Sequence, residues 1–154
     1  MFYKMIENKC KEWYSSDQCT VRNLIEYIEK TGQMRDAQIE AIKVYLFLKI
    51  GCECKPLEFL FRYGCFNSIN LNDIELSTAT REYLEENPAA TALFEYSRLT
   101  NDKGEQVSEK LEKQIKKDPS SIDYDAFFRT AFYGVSYTDY LFSLPMGAGK
   151  TYLM

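Results

Sequence analysis

The chain has 154 residues, of which 45% are hydrophobic and 15% aromatic, enough apolar surface to build a core and to exclude general disorder. Its formal charge of −4 excludes a globally basic nucleic-acid binder, although a local basic stripe is compatible with that total. Histidine is absent, which removes Ser-His-Asp and Cys-His catalysis and imidazole metal ligands.

The first residues, Met1-Phe2-Tyr3-Lys4-Met5-Ile6-Glu7-Asn8-Lys9, lack the apolar run of a signal peptide. No stretch nears the roughly 18 apolar residues of a membrane-spanning helix. No membrane partner and a cytoplasmic location are therefore expected. Five cysteines (Cys10, Cys19, Cys52, Cys54, Cys65) without an export signal read as reduced thiols. A zinc site at Cys52, Cys54 and Cys65 is disfavoured, because the paired spacing of structural zinc ligands is missing.

In chain order the pattern is helix after helix. Val21, Leu24, Ile25 and Ile28 share one helical face, with Thr20 as a possible cap and Gly32 at the end. A second helix is expected from Arg35 to Ile50, stopped by Gly51, with Ile39, Ile42, Leu46 and Ile50 on its face and Val44, Phe47 and Leu48 widening it. Pro56 opens a short helix ending near Gly64. The Asn-rich run Phe66–Leu76 reads as a loop. Ser77 or Thr78 starts a helix to Glu86, and Pro88 stands in the first turn of the next one. Asn101-Asp102-Lys103-Gly104 is a turn, and a charged helix is expected from Glu105 to Lys117. Asp123 or Asp125 caps a final aromatic helix with Phe127, Phe128, Phe132 and Tyr133, whose spacing suits core packing better than base stacking.

The character changes at Tyr137–Leu144, an aromatic, strand-favouring run. It leads directly into Pro145-Met146-Gly147-Ala148-Gly149-Lys150-Thr151, and Gly-x-Gly-Lys-Thr is the heart of a phosphate-binding loop. Gly147 and Gly149 let the backbone turn tightly and, with Ala148 between them, bring N–H groups to phosphate oxygens. Lys150 supplies a cation for the outer phosphates, and Thr151 a hydroxyl for Mg²⁺.

The broader phosphate-loop pattern wants glycine where this chain has Leu144. Leu-Pro-x-Gly-x-Gly-Lys-Thr resembles the variant found in superfamily 2 helicases of the DEAD/DEAH type and in type III restriction-enzyme motor subunits. A second segment, Met34-Arg35-Asp36-Ala37-Gln38-Ile39-Glu40-Ala41-Ile42, is similar to the glutamine motif ahead of that loop in the same family. The resemblance implies that Gln38 contacts adenine, that Arg35 helps hold that corner, and that Lys150 serves the reaction of ATP with Mg²⁺. It covers residues 34–50 and 138–154 and leaves the middle unassigned.

The resulting expectation is a mainly α chain in three parts. Residues 1–50 hold N-terminal helices with the glutamine-motif-like segment, 51–136 form a helical insertion or accessory module, and 137–154 begin a truncated RecA-like α/β domain. The resemblance implies the N-terminal part of a longer ATP-hydrolysing DNA helicase or translocase, with no turnover by this piece alone. Nucleic acid, DNA first, is the implied partner, and the helical middle is a candidate surface for a protein partner. The alternative is a non-enzymatic helical protein-interaction domain. A weaker one is another phosphate-loop ATPase, against which Leu144 and the Arg35–Ile42 segment argue. Glu85-Glu86 and Asp123/Asp125 read as caps and solvated charges, and the lysines of 110–117, interspersed with Glu109 and Glu112, as a solvated face.

Overall fold

The computed structural model describes residues 2–101 and 103–133. These are mainly helical, as expected, and among them no strand is found, only an isolated bridge between Thr100 and Gln106. The expected strand Tyr137–Leu144 and the loop Gly147–Thr151 lie outside the described residues. No described helix is long and apolar enough to cross a membrane.

The chain divides into two compact units, one of Lys9–Lys55 and one joining residues 2–8 to 56–133. The grouping of the first residues with the later unit is a tertiary outcome.

Helix α1, Phe2–Ser15, begins in one unit and ends in the other, and the sequence reading did not anticipate it. Its signal was present, because Met5, Ile6, Cys10 and Trp13 fall on one side of a helix and all are buried.

In the Lys9–Lys55 unit, α2 (Arg22–Thr31) packs on α3 (Asp36–Leu46). Thr20 does not cap α2: Val21 occupies the cap position and no side chain accepts there. Gly32 ends the helix at φ −81°, and Gln33 takes the left-handed conformation instead, at φ 47°. The expected long second helix stops short at Leu46 and gives way to a π-helical turn, Phe47–Gly51. There the Cys52 N–H reaches the Phe47 carbonyl at 2.8 Å, one residue beyond the α-helical partner. The buried face differs from the expected one already before this turn, since Ile42 and Leu46 are only half-buried. Val44, Phe47 and Leu48 are buried, whereas Ile50, expected on the core face, is 40% exposed. Gly51 is needed for close approach, since a Cβ there would stand 2.8 Å from the Phe47 ring and 3.0 Å from Trp13 Nε1.

In the second unit, α4 (Leu57–Arg62) follows Pro56 and packs against α6 (Pro88–Arg98) and α8 (Tyr124–Ala131). Helices α5 (Thr78–Glu86) and α7 (Glu109–Lys117) pack on α6. Fully buried Phe61, Phe66, Phe94, Phe128, Leu60, Leu84, Leu93 and Ile115 form the core. Ser77 accepts from Thr80 N–H, Asp123 from Ala126 N–H and Ser108 from Leu111 N–H. The charged helix expected from Glu105 therefore begins only at Glu109. The preceding residues are held by the turn, where Asn101 Oδ1 accepts the N–H groups of Lys103 and Glu105 at 2.9 Å each.

Gly64 ends the α4 turn with φ +68°, and an added Cβ would lie 2.7 Å from Asn67 Nδ2 and 2.8 Å from Pro88 Cβ. The backbone alone costs an L-residue about 1–2 kcal/mol in that region. Gly64→Ala is expected to destabilise the protein by about 2 kcal/mol or more, read from the midpoint of urea unfolding. An unchanged midpoint would show that the Asn67 amide moves aside and the turn tolerates a side chain.

Candidate functional site

Of the residues singled out for nucleotide chemistry, Arg35 and Gln38 are described. Gly147, Ala148, Gly149, Lys150 and Thr151 lie outside the described residues. Arg35 is exposed and is the cap residue of α3, in extended backbone conformation at φ −79°, ψ 154°. Gln38 is at the third helical position and is only 3% exposed. Its Oε1 accepts the Arg35 N–H at 2.8 Å, and its own N–H donates to the Arg35 carbonyl at 2.8 Å. The first bond is the glutamine half of a capping box; the second joins backbone to backbone, because the Arg35 guanidinium has no acceptor to offer.

The geometry sets a condition on any base contact. An adenine edge offers the N6 amino group as donor and N7 as acceptor, so its donor would compete with the Arg35 N–H for Oε1. Gln38 thus has a structural duty independent of a ligand. Gln38→Glu keeps a cap acceptor and loses the amide donor, whereas Gln38→Ala loses both. If the amide reads a base, Gln38→Glu weakens ATP binding while keeping more of the helix stability. Gln38→Ala is expected to cost about 1 kcal/mol or more in thermal or urea unfolding. Equal nucleotide affinity in the native protein and Gln38→Glu would leave the cap as the residue's whole role.

A polar hollow of about 170 Å³ lies in the same unit, lined by Asp17, Cys19, Thr20, Arg22 and Asn23. That is below the roughly 300–1,000 Å³ of small-molecule sites. The Arg22 guanidinium is occupied with the end of α1, donating to the carbonyl of Tyr14 at 3.0 Å and to that of Ser16. Lys43 bridges the same unit, pairing with Glu29 at 2.6 Å and lying 4.5 Å from the centre of the Tyr14 ring. Burial pushes the Tyr14 phenol above its ordinary value, helped by the charge of Glu29 and opposed by Lys43.

The remaining candidates resolve into structural roles. Asp123 caps α8, and Asp125 grips Arg62 with both oxygens at 2.7 Å each. The Arg62 hydrogen bond holds the Asp125 carboxyl below its usual range despite some burial. Along α7, Lys113 pairs with Glu109 at 3.1 Å and Lys116 with Glu112 at 2.9 Å. Glu112 also takes Arg98 and Gln106. Burial acts to raise the Glu112 pKa, but the bonds from Lys116 and Gln106 and the Arg98 charge outweigh it, and the net shift is downward. Its contribution to stability is therefore present at neutral pH and lost as pH falls through the depressed value.

Of the four aromatics at the chain's last described helix, Phe128 is fully buried and Tyr133 is 89% exposed. Core packing thus holds for the first and not for the second. All five cysteines remain thiols, with Cys10, Cys19 and Cys52 buried. Among the described residues no three His, Cys, Asp or Glu side chains are grouped to hold a metal.

One important polar residue escaped the sequence reading. Glu95, on the apolar helix α6 and only 8% exposed, accepts the N–H groups of Ser68 at 2.8 Å and Ile69 at 3.1 Å. It stands directly after Leu93 and Phe94, and nothing in that local pattern separates a buried carboxylate from a solvated one.

No protein-family model, curated protein or solved structure matches the chain.

Proposed function

We propose that the chain carries the phosphate-gripping segment of an ATP-dependent nucleic-acid motor of the superfamily 2 type, similar to the motor subunit of type III restriction enzymes. The carrying observation is Gly147-Ala148-Gly149-Lys150-Thr151 placed directly behind the strand-favouring run Tyr137–Leu144. In this reading the backbone N–H groups of Gly147, Ala148 and Gly149 bond phosphate oxygens. Lys150 balances the charge on the outer phosphates, and the Thr151 hydroxyl joins the Mg²⁺ shell. The ATP–Mg²⁺ pair would supply the free energy that closes the motor's lobes along DNA.

Support from the described residues is narrower. Arg35 and Gln38 stand three residues apart in the first turn of α3, and a bound adenine would share Gln38 Oε1 with the Arg35 N–H. The helical unit of residues 56–133 would act as an accessory module for a DNA or protein partner.

The test is equilibrium binding of a fluorescent ATP analogue with Mg²⁺ to the whole product of the gene and to its Lys150→Ala variant. Loss of at least tenfold in affinity, about 1.4 kcal/mol, is expected from removing the cation. Equal binding by both proteins, or none by the native one, overturns the motor reading and favours a helical interaction domain.

A further inference from the structure

No further inference is drawn: the strongest candidate, the exposed apolar side of α2 carrying Leu24 and Tyr27, has nothing in the structure to show what covers it.

Discussion

Phe61→Ala is expected to destabilise the helical unit of residues 56–133 by about 3–5 kcal/mol, the range for removing a buried phenylalanine. Phe61 is fully buried on the short helix α4. Its ring lies 4.9 Å from Phe2, 4.7 Å from Phe66, 5.7 Å from Phe128 and 5.2 Å from Phe132, centre to centre. These partners come from α1, the loop after α4 and the end of the described chain, so one truncation loosens contacts of very different sequence separation. Rings at such distances also contribute attraction beyond the area they bury. A domain has only about 5–15 kcal/mol of stability in total, so the loss is a large fraction of it. Urea unfolding followed by circular dichroism measures the change. A cost under about 1 kcal/mol would mean that the surrounding rings collapse into the space, and that this cluster is not the centre of the core.

Glu95→Ala should cost about 1.5–3 kcal/mol, the usual range for hydrogen bonds to a charged group. The carboxylate holds the loop after α4 onto α6 through the Ser68 and Ile69 N–H groups. Its loss exposes those two donors to exchange. Hydrogen exchange is the decisive readout, because the Ser68 and Ile69 amides should speed up more than those of α6 itself. Glu95→Gln should fall between the variant and the native protein, since an amide oxygen still accepts these bonds but without the negative charge. Equal exchange at Ser68 and Ile69 in all three proteins would show that water or a neighbour replaces the carboxylate. The same loop carries the buried Asn67 Oδ1, which finds no hydrogen-bond partner among the described residues, while Asn67 Nδ2 donates to the Pro88 carbonyl at 3.0 Å.

Local chemistry was legible at most turns that one side chain decides, though not at Thr20 and Gly32 around α2. Ser77 and Asp123 cap the helices they precede, Pro56 and Pro88 mark helix starts, and Gly64 takes the left-handed conformation that closes α4. Each depends on neighbours within a few residues, so spacing alone carries the information. The start of α3 at Arg35 was legible in the same way, although the burial of Gln38 was not. The phosphate-loop spelling at Gly147–Thr151 is a statement of the sequence alone, since those residues lie outside the described ones.

What the sequence by itself determined is the mainly helical character of the described chain, most of its helix boundaries and the pentapeptide on which the proposed function rests. Packing alone decided the rest. The helix widens into a π-helical turn at Phe47–Gly51, and Val44, Phe47 and Leu48 take the core side while Ile50 faces outward. The assignment of α1's first residues to the later unit, and the burial of Glu95 against Ser68 and Ile69, join positions far apart in the chain. Periodicity records which face of a helix is apolar, but it does not record which distant surface that face will meet. For that reason the partners of Phe61 and Glu95 emerged only with the tertiary structure.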